Sequence, residues 1–139
     1  MLAAFSIAYW VFAALTMPVF FTGALLLFLA TVAFDRRRVA LHLYGCFWGS
    51  FYVYANPLWR NRVIGRARLP WSGPAVIVAN HLSLVDILVL YGLYRPFKWV
   101  AKSSIFRIPF VGWNMTLNGH VPLTRGAADS VRRMMARCR

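Results

Sequence analysis

Residues 75–94 read AVIVANHLSLVDILVLYGLY. The first five residues form a continuous apolar run rich in Val and Ile, which is typical of a strand buried on both faces. From Ser83 to Tyr94 the pattern indicates a helix, which Gly92 and then Pro96 end. This stretch therefore predicts a buried strand that turns directly into a helix, a place where α/β proteins position active sites.

The sequence on both sides continues this alternation of strands and helices. Residues 60–69 alternate arginine with apolar residues, which favours an exposed or edge strand. After Pro96 we expect a strand over 97–101, a helix over 103–118 interrupted at Ile108-Pro109, a strand over 120–123 and a basic helix over 127–139. Strands that alternate with helices predict an α/β fold with a mostly parallel sheet.

The 139-residue chain opens with 34 residues that carry no charged side chain, and Arg36–Arg38 follow almost at once. This pattern predicts a membrane-embedded segment whose arginines face the cytoplasm. Either one span of about 20 residues lies within the segment, or the chain bends near Pro18 and Gly23 and re-enters the same leaflet. A cleaved signal peptide is disfavoured because no basic residue precedes the apolar run.

A second apolar stretch, residues 39–55, is dense in aromatic residues. Aromatic side chains concentrate at the headgroup level of a membrane, so we expect an interfacial helix here, with His42 at the interface. A second span is the alternative. Residues 1–55 are thus predicted to be membrane-anchoring helices and residues 56–139 an α/β domain that faces the cytoplasm from the inner membrane.

The composition narrows the possible functions. The chain is 60% hydrophobic and carries 16 Lys and Arg against 3 Asp and Glu, a net charge of +13. Intrinsic disorder is excluded by the apolar content. Nucleic-acid binding is disfavoured because the aromatic residues cluster in the apolar segments, away from most arginines. An enzyme acting at the membrane and a small basic protein that binds anionic lipid without catalysis both remain open.

The acidic residues are few enough to be informative, since Asp86 is one of only three. His81 ends the predicted strand, and Asp86 would lie on the first turn of the helix, where its carboxylate can orient the imidazole as a general base. The same spacing from Ser83 to Asp86 also describes a helix capping box. His81 and Asp86 cannot hold a metal ion by themselves, and neither His42 nor His120 is placed to complete a metal site. We expect His120 at the surface.

The order of these motifs resembles a known family, the glycerolipid acyltransferases, which include 1-acylglycerol-3-phosphate acyltransferase. Asn80-His81-x-Ser83-x-x-Asp86 is similar to the first signature block of that family. The segments that resemble the following parts of the family stand in the same order, at residues 98–102, 108–113 and 119–125. The resemblance covers about residues 60–126 and implies an acyltransferase-type α/β domain.

The resemblance implies a reaction and a set of site residues. His81 would be the general base and Asp86 its orienting partner. An acyl-CoA or acyl-carrier protein would donate the acyl group without a further cofactor, and a lysophospholipid, expected to be 1-acylglycerol-3-phosphate, would accept it to give phosphatidic acid. Arg125 and Lys102 would hold the acceptor's phosphate. Asn80, Ser83 and Gly119 would complete the substrate site.

The chain lacks the later signature blocks of the family. The family's third block, Phe-Pro-Glu-Gly-Thr-Arg, is missing, and the sequence contains no Glu. We therefore expect the sequence to be the N-terminal part of a longer enzyme and to be inactive on its own.

Overall fold

The computed structural model describes residues 2–80, 83–124 and 126–137. The apolar N-terminal segment forms one continuous helix, α1 (Leu2–Thr31), which runs through Pro18 without a break. The alternative in which the chain bends near Pro18 and Gly23 and re-enters the leaflet needs an interrupted helix and is therefore not supported. In the described part of the chain, α1 alone is long and apolar enough to cross a membrane, by its length and composition.

The chain folds as two compact units. The first contains residues 1–16 and 39–96, and the second contains residues 17–38 and 97–139, so that each half of α1 belongs to one of them.

In the first unit, α2 (Val39–Ala55) packs against the first half of α1. The Tyr9 hydroxyl donates to the Tyr52 carbonyl at 2.7 Å, and the Tyr52 hydroxyl donates to the Ala13 carbonyl at 3.1 Å. With 17 residues α2 is about 26 Å long, short of the roughly 30 Å hydrocarbon core, so a second span is not supported. The interfacial position of α2 remains a prediction.

The helix predicted after Ser83 is confirmed as α3 (Leu84–Tyr91), which ends at Gly92. It packs against α2, where Gly49 leaves room for the ring of Tyr91: a Cβ at Gly49 would lie 3.0 Å from that side chain. His42 also contacts the Tyr91 ring and is only 1% exposed. The expected interfacial position of His42 is therefore wrong, since the helix buries this side chain against α3.

The two strands predicted in the first unit are not formed. Residues 75–79 are not assigned to a strand, and Val76 and Val78 are 89% and 87% exposed. A strand is held by the backbone hydrogen bonds of a neighbour, and no described strand pairs with this segment.

Residues 60–69 also differ from their predicted strand, because a 3-10 helix (Arg66–Arg68) interrupts them after Gly65, whose φ is +78°. Arg66 Nη2 donates to the Gly92 carbonyl at 2.7 Å. This arginine therefore stabilises the C-terminal end of α3.

The second unit contains a parallel pair of strands, β1 (Val100–Lys102) and β2 (Val121–Leu123). Val100 pairs with Val121 and Lys102 with Leu123. The parallel direction is confirmed, and the strand expected over 97–101 lies at β1. The sheet has two strands among the described residues rather than the larger parallel sheet that the sequence pattern predicted.

A 3-10 helix (Ser103–Arg107) and α4 (Val111–Leu117) connect the two strands, so the predicted interruption at Ile108-Pro109 is confirmed. Gly112 permits the close approach of these helices, because a Cβ there would lie 2.4 Å from the Phe106 backbone. The second half of α1 contacts α4, with the Phe21 ring 5.5 Å from that of Trp113. The basic helix α5 (Ala128–Arg137) follows β2.

Candidate functional site

The start of α3 holds the described part of the first signature block. Ser83 is the N-cap in an extended conformation, and its backbone N–H donates to Asp86 Oδ2 at 2.9 Å. The capping box predicted from the sequence is therefore present. A carboxylate has two oxygens and about four acceptor positions, so capping the helix and orienting an imidazole are chemically compatible.

The structure describes only some of the other residues of this block. Asn80 and Ser83 are exposed, and Ser83 directly precedes α3. His81 lies outside the described residues. The pairing of His81 with Asp86, and the contacts of Asn80 and Ser83 with substrate, therefore remain predictions.

In the second unit, the carboxyl ends of β1 and β2 lie side by side. Lys102 ends β1 opposite Leu123, and the hydroxyls of Ser103 and Thr124 are hydrogen-bonded at 3.1 Å just beyond the two strands. Lys102 is exposed at this edge. Arg125 follows Thr124 and lies outside the described residues. Carboxyl ends of parallel strands are a common ligand site, so the placement of Lys102 is compatible with its predicted role.

Gly119 allows a close approach that the sequence pattern did not suggest. Its φ is +69°, and a Cβ there would lie 3.2 Å from Arg38 Nη1. That nitrogen donates to the carbonyls of Thr116, at 3.1 Å, and Leu117. These carbonyls belong to the last turn of α4, where a positive charge is favoured by the helix dipole. A contact of Gly119 with substrate remains a prediction.

Lys98 lies beside the same helix end. Its Nζ donates to the Asn118 carbonyl at 2.6 Å and to the Arg37 carbonyl at 3.0 Å. Loss of water around the ammonium group lowers the pKa of Lys98, the nearby charge of Arg38 lowers it further, and Asp35 acts in the opposite direction. Sequence reasoning treated Arg36–Arg38 only as a topology signal and gave Lys98 no role, so it missed this basic cluster.

His120 precedes β2 and is 2% exposed, so the predicted surface position is wrong. The Trp99 backbone N–H donates to His120 Nδ1 at 3.3 Å, which fixes the imidazole against β1. The alternation of apolar and polar residues could not show this contact, because it joins two segments that are 21 residues apart.

Comparison with known proteins identifies the family. The Acyltransferase family pattern matches residues 60–139. A 1-acyl-sn-glycerol-3-phosphate acyltransferase of Chlamydomonas reinhardtii is 39% identical over 127 residues, which are 90% of this chain and 37% of that protein. A chloroplastic enzyme of the same name from Arabidopsis thaliana is 39% identical over 103 residues, 73% of this chain and 28% of its own length.

A bacterial relative of the same name, from Pseudomonas aeruginosa, is 25% identical over 130 residues, 88% of this chain and 48% of that protein. No solved structure matches the chain. The chain thus spans from about a quarter to half of the length of these relatives. Because the family pattern covers more than half of its residues, the chain belongs to the Acyltransferase family.

Proposed function

We propose that this protein transfers a fatty acyl group from a thioester to the free hydroxyl of 1-acylglycerol-3-phosphate, giving phosphatidic acid. The observation that carries the proposal is the position of Asp86, which the N-terminus of α3 holds three residues after Ser83 and five residues after His81, in a member of the Acyltransferase family. The names of the curated relatives support the acceptor.

In the proposed reaction His81 removes the proton of the acceptor hydroxyl, and Asp86 orients and stabilises the imidazolium that forms. The hydroxyl oxygen attacks the thioester carbonyl, the carbon–sulfur bond breaks, and the thiolate of coenzyme A or acyl-carrier protein leaves with the proton from His81. The new ester bond completes phosphatidic acid. No cofactor is part of this proposal.

The acceptor's phosphate is assigned to Lys102 and Arg125. Lys102 is exposed at the carboxyl end of β1, and Arg125 lies two residues after Leu123, with which Lys102 pairs. A guanidinium matches phosphate with two parallel hydrogen bonds, and an ammonium adds a point charge. Lysophospholipid and acyl donor are thus the proposed substrates.

We propose further that α1 holds the protein in the cytoplasmic membrane. The helix is apolar over 29 residues, and Arg36–Arg38 lie beyond its end, which favours the cytoplasmic side for the basic cluster. Alkaline carbonate extraction of cells that express the protein tests this directly. Recovery of the protein in the supernatant would contradict it.

The reaction is tested with the protein expressed from its complete coding sequence. Membranes are supplied with labelled acyl-CoA or acyl-carrier protein and with lysophosphatidic acid, and the formation of labelled phosphatidic acid is measured beside the His81→Ala variant. We expect product from the unmodified protein and only background from the variant, because the hydroxyl lacks a base. Equal product from both would refute the proposed mechanism.

A further inference from the structure

The second unit contains a cavity of about 650 Å³ with an unusually basic wall. Four of its lining residues are cations, and several of the others are polar. The lining includes Arg36, Arg37, Arg38, Lys98 and Asn118. Lys102, which is assigned above to the acceptor's phosphate, is not part of this wall.

Two of the cations are held in place by backbone carbonyls. Arg38 donates to Thr116 and Leu117, and its guanidinium lies 5.3 Å from the centre of the Phe28 ring. Lys98 donates to Asn118 and Arg37. Their positive charges are therefore fixed at the cavity before any ligand arrives, which reduces the ordering that binding requires.

The other two cations are available to a ligand. Arg36 and Arg37 are exposed, and their guanidinium groups have no hydrogen-bond partner among the residues that the structure describes. Each guanidinium has five N–H donors in a planar fork that matches a phosphate. The wall thus combines two fixed charges with two adaptable donors.

The charges around the cavity are poorly balanced. Burial lowers the pKa of Lys98, the charge of Arg38 lowers it further, and Asp35, the acidic residue next to the arginine run, acts in the opposite direction. An anion in the cavity would relieve this repulsion, because it adds negative charge where four positive charges converge.

We infer that this cavity binds the phosphate group of an anionic phospholipid, with Arg36 and Arg37 as the direct donors and with Arg38 and Lys98 as fixed charges. The lipid source is favoured over free phosphate because Arg36–Arg38 follow shortly after an apolar helix of 30 residues, at the level where headgroups lie if α1 enters the membrane. This site is additional to the acceptor site and does not depend on catalysis.

The experiment measures binding rather than activity. The full chain is purified in a neutral detergent and titrated calorimetrically with dioctanoyl phosphatidic acid, dioctanoyl phosphatidylcholine and inorganic phosphate. The test variant is Arg36→Gln/Arg37→Gln. A control, Arg132→Gln/Arg133→Gln, removes the same charge from two exposed positions of α5. A second variant, Lys102→Gln/Arg125→Gln, removes the proposed acceptor site.

We expect saturable binding of phosphatidic acid whose Kd rises about tenfold or more in the test variant, since two charge-assisted contacts are lost. The control and the acceptor-site variant should keep this binding, and phosphatidylcholine should not bind. An equal loss in the test variant and the α5 control would overturn the inference, as would a loss confined to the acceptor-site variant. Inorganic phosphate that binds as tightly as phosphatidic acid would overturn the lipid assignment. Acyl transfer that fails while this binding persists would refute the proposed reaction alone.

Discussion

The start of α3 and the basic cavity differ in how far apart along the chain their partners lie. Ser83 and Asp86 are three residues apart, whereas Lys98 reaches the Arg37 carbonyl over 61 residues and Arg38 reaches Leu117 over 79 residues. The spacing predicts the first contact, because an N-cap residue and the acidic residue three positions later form a capping box. The contacts of the cavity exist only after the second unit has folded.

The two regions also differ in how many functions one residue serves. Asp86 caps α3 in the structure and is proposed to orient His81 as well. In the cavity these functions are divided: Arg38 and Lys98 contact helix-end carbonyls, whereas Arg36 and Arg37 are exposed. A substitution at Asp86 therefore tests two roles together, and its design must separate them.

The largest effect is expected from Asp86→Asn. The amide keeps an oxygen that can accept from the Ser83 N–H, but it removes the charge that stabilises an imidazolium. We expect acyl transfer by the protein from its complete coding sequence to fall about 10²–10⁴-fold. The midpoint of thermal unfolding should change little.

Asp129→Asn is the matched control, because Asp129 lies in the first turn of α5 and the substitution is the same. It should leave acyl transfer unchanged. A wild-type rate in Asp86→Asn, with a lower melting temperature, would show that capping is the only role of Asp86 and would remove the contrast between the two regions.

The second-largest effect is expected from a substitution at the basic cavity, where Gly119 makes room for Arg38. Gly119→Ala places a Cβ at positive φ and 3.2 Å from Arg38 Nη1. The left-handed conformation alone costs about 1–2 kcal/mol for a residue with a Cβ, and the displaced guanidinium adds to it, so we expect a loss of about 2–3 kcal/mol in the free energy of unfolding.

Gly126→Ala provides the comparison, since Gly126 has φ +80° but, among the described residues, no atom within 4 Å of its added Cβ. Gly126→Ala should lower the free energy of unfolding only by the about 1–2 kcal/mol that the left-handed conformation costs a residue with a Cβ. Chemical denaturation in detergent measures both variants. Equal losses would show that the contact of Arg38 with α4 contributes nothing to stability, which would contradict the fixed charge that the cavity requires.

Much of the fold follows from local sequence signals. The capping residues of α3 and the interruption of the helical region at Ile108-Pro109 both depend on residues that are neighbours in the sequence. The family assignment also followed from short motifs in a fixed order, and the match over residues 60–139 confirms it.

The wrong predictions concern segments whose structure depends on contacts with residues that are distant in the sequence. Residues 75–79 have the composition of a buried strand, but a strand also needs a neighbour, and Val76 and Val78 are exposed without one among the described residues. His42 and His120 are buried by contacts with Tyr91 and Trp99, which their own segments could not predict. The basic cavity was not predicted either, because its residues also come from distant parts of the sequence.

The smallest effect is expected from the pH dependence that Lys98 contributes. Loss of water and the charge of Arg38 lower its pKa in the folded protein below the ordinary value of 10.5. Between the lowered value and 10.5 the unfolded chain binds more protons than the folded protein, so this lysine makes the free energy of unfolding rise with pH in that range. Solvent near this exposed side chain screens the effect and keeps it small.

Lys98→Met removes this contribution. Denaturant titrations from neutral pH toward 10.5 should show the wild type gaining stability relative to Lys98→Met. A wild type that instead loses stability relative to Lys98→Met would mean that a carboxylate, not the neighbouring arginine, dominates the surroundings of Lys98. The cavity would then lack the unbalanced positive charge that distinguishes it from the start of α3.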